Sequence, residues 1–121
     1  MLSQLGQIAV QVSDLGRSVA FYRDALQIPF LYEFPGLAFF NCGGVRLMLS
    51  HPENGSQVGV SSVLYFKVAD IQSETLALAG RGVKIEEEPH LIAKLIDHEL
   101  WMSFFRDPDQ NLLALMAEVR P

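Results

Sequence analysis

Apolar and polar positions alternate over residues 8–12, IAVQV, with Ile8, Val10 and Val12 on one side and Ala9 and Gln11 on the other. A period of two predicts a strand. Asp14 stands where a helix cap belongs, because its carboxylate can accept the free amide hydrogens of a first turn. Leu15, Val19, Tyr22 and Leu26 then recur at helical spacing, so the pattern predicts an amphipathic helix over 15–27, stopped by Pro29. Three short strands are expected next, Phe30–Phe34, Leu37–Asn41 and Val45–Ser50, broken at Pro35-Gly36 and at Gly43-Gly44.

The pattern then restarts. VSDLGRSVAFY at 12–22 is echoed by VADIQSETLAL at 68–78, an offset of 56 (68 minus 12). Ile8, Val10 and Val12 map to Leu64, Phe66 and Val68, Asp14 maps to Asp70, and Leu15 maps to Ile71. A second helix is expected over 71–79, with Gly80 and Gly82 suited to a left-handed C-terminal cap. Strands near Val83–Glu87, Leu100–Phe105 and Asn111–Glu118 complete the second copy. VRLML (45–49) answers LLALM (112–116), at an offset near 66 because the second copy carries the longer insertion PHLIAKLIDHE (89–99). Two copies cannot make an extended array, so the chain reads as a duplicated strand–helix–strand–strand–strand unit. The units are expected at about 1–56 and 57–121, joined through ENGSQVGVSS (53–62) and folded as one domain.

Composition narrows what such a chain can do. Half of the 121 residues are hydrophobic, enough for a packed interior. The net charge of -5, with scattered basic residues, argues against nucleic acid, whose phosphates need clustered Lys and Arg. No apolar run approaches the ~18 residues of a membrane span, and the first residues lack the basic-then-apolar layout expected of a signal peptide. Cys42 is the single cysteine, so no internal disulfide forms, and a cytoplasmic home is expected. A lone Cys of this kind is more often a small buried hydrophobe than a nucleophile. The Asn54-Gly55-Ser56 acceptor triplet reads as a turn.

VSDLGRSVAFYRDAL resembles the opening of a vicinal-oxygen-chelate domain, the superfamily of glyoxalase I, extradiol dioxygenases and the fosfomycin and bleomycin resistance proteins. FFRDPDQNLLALM resembles the closing turn and strand of that family, usually DPDG before an apolar strand. The resemblance implies an α+β fold in which two βαβββ repeats form a cupped mixed sheet with helices on its convex side. Ile8, Val10, Val12, Leu64, Phe66 and Val68 would then face helices. Gln7, Ala9, Gln11, Val63, Tyr65 and Lys67 would face the cup. The family's metal ligands carry over to Gln7, about Met48, Val63 and Ala114. A divalent cation needs oxygen or nitrogen donors, and of these positions only Gln7 supplies one, Met48 offering a thioether. No metal and no other cofactor is therefore expected.

The expected site is an apolar cup for a small organic molecule. Met48, Val63 and Ala114 give its floor, Gln7, Gln11, Tyr65 and Arg46 give polar groups, and Trp101 and Lys67 are further candidates. Arg46 and Lys67 each lie at cup-face parity in apolar strands, where a cation needs an anion or water. Leu112, Ala114 and Met116 are expected to present the last strand to the same space, with small Ala114 leaving room. His98 and Glu99, in the insertion, are candidates for acid–base catalysis on a lid. His51 reads as a surface turn residue, and Glu86-Glu87-Glu88 as a solvated strand end. Three functions stay open: a metal-free binding protein of the bleomycin-resistance type, a glyoxalase-like lyase, isomerase or dioxygenase-related enzyme using non-standard residues, or a dimerising or regulatory module. A homodimer is expected on the family likeness and the apolar content.

Overall fold

The structure, a computed structural model, describes residues 1–52, 59 and 61–121. The expected connector (53–62) and the Asn54-Gly55-Ser56 turn therefore lie largely outside the described residues. The chain divides into two compact units, Met1–Ser62 and Val63–Pro121.

The first unit holds β1 (Gln7–Gln11), helix α1 (Leu15–Ala20) and strands β2 (Phe30–Phe34), β3 (Leu37–Cys42) and β4 (Val45–Ser50). Its sheet runs β1-β4-β3-β2, with β1 parallel to β4 and the other pairs antiparallel. Val10, Ala38, Phe40, Leu47 and Leu49 are buried on the face that packs against α1. Tyr22 is fully buried there too, its ring 6.2 Å from that of Phe40. Of these, Val10, Phe40, Leu47 and Leu49 each contribute about 1.5–3 kcal/mol by leaving water. Gly43 and Gly44 have φ of +61° and +89°, so they fit a two-residue hairpin turn that demands left-handed backbone at both positions.

The first helix differs from its expected span of 15–27. Regular α-helix stops at Ala20, and Phe21–Ala25 is a π-helical segment. Leu26 N donates to Phe21 O and Ile28 N to Tyr22 O, so the chain widens before Pro29.

The second unit holds β5 (Leu64–Lys67), helix α2 (Ile71–Gly80), β6 (Ile85–Lys94), β7 (Glu99–Arg106) and β8 (Leu112–Val119). Its sheet runs β5-β8-β7-β6, the same topology as the first, with β5 parallel to β8. Asp14 and Asp70 cap equivalent helices: their carboxylates accept from Arg17 N and Ser73 N, each at 3.1 Å. The last residue of α2 is Gly80, and Gly82, two residues on, supplies the left-handed closure. Val83 N donates to Leu78 O and Gly82 N to Ala79 O, a Schellman closure that requires the positive φ (+91°) Gly82 adopts. Leu113, Leu115 and Phe105 are buried on the α2 side, where Thr75 Oγ1 meets Ser103 Oγ at 2.9 Å.

The insertion 89–99 is mostly strand. It continues β6 and opens β7, making a long hairpin closed by Leu95 N donating to His98 O. Pro89 is tolerated because β6 is an edge strand with register shifts along it. The Asp107-Pro108-Asp109-Gln110-Asn111 turn is held by one buried carboxylate, which accepts from Asp109 N, Asn111 N and Asn111 Nδ2. Among the described residues no helix is long and apolar enough to cross a membrane.

Candidate functional site

Strand register decides which candidates share a face. In the first sheet, on the side opposite α1, Gln7 lies beside Arg46 and Asn41, and the next row brings Ala9, Met48, Phe39 and Tyr32 together. Gln11, Ser50, Leu37 and Phe34 make the third row. Tyr32, Phe34 and Phe39 form an aromatic cluster with centroids 5.2–6.2 Å apart. The Arg46 guanidinium carbon lies 5.8 Å from the Phe39 centroid, within cation–π range. Arg46 makes no ion pair among the described residues. Gln7 Nε2 sits 3.7 Å from Met48 Sδ, a weak contact that leaves its amide available. Gln11 is committed elsewhere: its Oε1 accepts from Gly59 N and its backbone N donates to Ser61 Oγ.

In the second sheet, on the side opposite α2, Tyr65, Ala114 and Phe104 form one row and Lys67, Met116, Met102 and His90 the next. Phe104 meets Tyr65 edge-on at 6.5 Å and His90 at 6.3 Å. Val63 precedes β5. Lys67 Nζ lies 4.0 Å from Glu118 Oε2, so its charge has an internal partner. Ala114 has no exposed surface. Trp101 pairs with Ala117 and shares the parity of Ser103 and Phe105, which places it on the α2 side rather than with Tyr65. Its indole N–H donates to Glu99 Oε1 at 3.1 Å, which ties Glu99 to that same side.

His98 and Glu99 line a hollow of about 390 Å³ at the tip of the β6–β7 hairpin. His98 Nδ1 bonds Asp97 Oδ1 at 2.7 Å, and that bond holds the Asp97 carboxyl below its ordinary value. Glu86 is likewise lowered, by the Arg106 guanidinium bonded to both its oxygens. Burial raises the Cys42 thiol. Among the described residues no group of three or more His, Cys, Asp or Glu is placed to hold a metal ion.

Two four-stranded mixed sheets, each packed by a helix on one face, define the duplicated α+β class that the repeat implies. The chain belongs to the glyoxalase/bleomycin resistance protein/dioxygenase superfamily, whose family model matches residues 4–115. YraH of Bacillus subtilis (strain 168) is 32% identical over 129 aligned positions, covering 93% of this chain and 96% of YraH. Metallothiol transferase FosB of Staphylococcus haemolyticus (strain JCSC1435) is 37% identical over 54 residues, 45% of this chain and 39% of FosB. A solved lactoylglutathione lyase from Agrobacterium tumefaciens shares the fold at a TM-score of 0.78, with 22% identity over 95% of this chain and 93% of that one.

The aromatic cluster is the feature that strand-by-strand reading passed over. Its signal lies in FLYEFPGLAFF (30–40), where Tyr32 and Phe34 recur two apart and Phe39 returns across the turn.

Proposed function

We propose that this chain binds a small organic molecule with a flat apolar or aromatic body and an anionic group, on the face of the first sheet opposite α1. The observation that carries this reading is Arg46, lying over Phe39 beside Tyr32 and Phe34 with no carboxylate partner among the described residues. A cation so placed has a free valence for an anion, and the aromatic rings supply apolar area at low entropic cost. Gln7 adds a donor and acceptor at the rim. In this reading the site holds no divalent metal. Of the positions that relatives use for ligands, Met48 offers only a thioether, Val63 and Ala114 only hydrocarbon, and a hard cation is not held by Gln7 alone.

The match to FosB, by name a metallothiol transferase, favours one competing reading: a metal-dependent enzyme. Elemental analysis separates the two. About one zinc, nickel, manganese or iron per chain after dialysis would overturn the metal-free reading. For the ligand, a panel of aromatic carboxylates is screened by thermal shift, and the best binder is then titrated against Arg46→Ala. The charged hydrogen bond is worth about 1.5–3 kcal/mol, so the dissociation constant should rise by about 10- to 150-fold. An unchanged constant would move the site off this face.

A further inference from the structure

The second sheet lines up three metal-binding side chains in one row. His90 on β6 lies opposite Met102 on β7, and Met102 lies opposite Met116 on β8. Directly opposed residues on neighbouring strands hold their Cβ atoms about 4.5–5.5 Å apart on one face. The three side chains therefore stand in line on the side away from α2. Packing against the helix does not use the two methionines. Ser103, Phe105, Leu113, Leu115 and Ala117 fill the α2 side, whereas Met102 and Met116 are only half-buried.

His90 is held in a form that suits a metal ion. Its Nδ1 lies 2.8 Å from Glu88 O. A carbonyl oxygen only accepts, so Nδ1 carries the proton and Nε2 of the neutral ring keeps its lone pair. Metal-bound histidines are commonly fixed this way, with the other ring N–H given to a backbone carbonyl. Each methionine side chain has three rotatable bonds, so both thioethers can turn toward one ion beside the imidazole. The Phe104 ring, 6.3 Å from that of His90, adds an aromatic wall that attracts cations. Lys67 ends the row opposite Met116, but Glu118 lies 4.0 Å from its ammonium and offsets that charge.

The donor set chooses the ion. Magnesium, calcium and manganese favour carboxylate or carbonyl oxygen, and zinc favours thiolates or several imidazoles. The row offers one ring nitrogen and two thioethers, a soft set that selects monovalent copper.

We propose that His90 Nε2, Met102 Sδ and Met116 Sδ form a Cu(I) site on the face of the second sheet opposite α2. It uses none of the divalent-metal positions Gln7, Met48, Val63 and Ala114, and it does not rest on the ligand reading of the first sheet.

The test is an anaerobic titration of the full chain with Cu(I) against the chromophoric chelator bicinchoninate, with thermal melts to verify folding. The chain should withdraw about one Cu(I) from the chelator and should prefer it to zinc. Losing an outer partner of a metal ligand already costs about 10- to 100-fold in affinity, so losing a ligand should cost at least about 100-fold. Met102→Leu, Met116→Leu and His90→Phe should each reach that loss. Leu nearly conserves the volume of Met, so the fold should hold. Cys42 is the chain's single thiol and the competing soft donor, so Cys42→Ser should leave the affinity unchanged. X-ray absorption at the copper edge of that Cys42→Ser chain should show sulfur and nitrogen neighbours. A chain that withdraws no copper, or takes up zinc as readily, overturns the proposal. So does binding that Cys42→Ser abolishes, or binding indifferent to the change at Met102, Met116 or His90.

Discussion

In the first sheet Arg46 lies over Phe39, while the matching place in the second sheet puts Leu112 near Phe104, in register with Arg106. Arg106 is spent on a bidentate pair with Glu86, and Lys67 on Glu118, so the second face presents its cations already partnered. Arg46 alone among these three lacks a carboxylate among the described residues. On the helix sides the two units remain alike: Asp14 and Asp70 cap the helices through the same bond, and Val10, Leu49, Leu113 and Phe105 are buried in both sheets. Packing against a helix constrains one face of each copy to apolar side chains of fixed size. The opposite face carries no such demand, so a duplicated unit can diverge there and acquire a site on one copy only.

The largest expected effect tests whether the helix sides are as equivalent as they look. Tyr22 and Leu78 occupy the same place in the repeat (22 plus 56 is 78), and both are buried. Tyr22→Ala should cost about 3–5 kcal/mol and Leu78→Ala about 2–5 kcal/mol of unfolding free energy, read from urea midpoints. A loss under about 1 kcal/mol at either position would mean that its helix is not anchored as the other is, and the parallel between units would fail.

The caps offer a finer comparison. Asp14→Ala and Asp70→Ala each remove one carboxylate from a first-turn amide, worth about 0.5–2 kcal/mol. Equal losses are expected, because the bond length and the extended cap backbone are the same in both. A markedly smaller loss for Asp14→Ala would show that the short α1, which passes into a π segment after Ala20, is held by Tyr22 rather than by its cap.

What could be read in the sequence follows the same division. Period-two alternation located the faces of β1, β4, β5 and β8, and the echo of Val12–Tyr22 in Val68–Leu78 located both helices, because core packing writes itself into spacing. The π segment left no mark, since Tyr22 and Leu26 fit an ordinary helix equally well. LIAKLI (91–96) has no alternation and follows Pro89, so it read as an insertion, although an edge strand accepts both features. Trp101 could have been placed correctly by counting from Ser103 and Phe105. The partners of Gln11 and Lys67 could not, because Gly59 and Glu118 approach them only through tertiary structure.

The smallest effect concerns two glutamines, one in each unit, that hold left-handed backbone. Gln27 has φ of +59° just past the π segment, and Gln110 has φ of +67° in the closing turn. A side chain there costs about 1–2 kcal/mol, while a glycine would lose about 0.5–1 kcal/mol more chain entropy on folding. Gln110→Gly should therefore stabilise the protein by about 0.5 kcal/mol, a rise of about 2 °C in Tm by calorimetry. The bonds that fix this turn run to the Asp107 side chain and to backbone atoms, including Gln110 O, which accepts from Arg106 at 3.0 Å, so removing the Gln110 side chain breaks none of them. Gln27→Gly should gain less, because among the described residues no carboxylate like that of Asp107 bonds the backbone of 26–28, and glycine there loosens the approach to Pro29. Equal gains would show that backbone strain alone sets the effect; a loss at Gln110 would show that its side chain makes a contact that matters more than the strain.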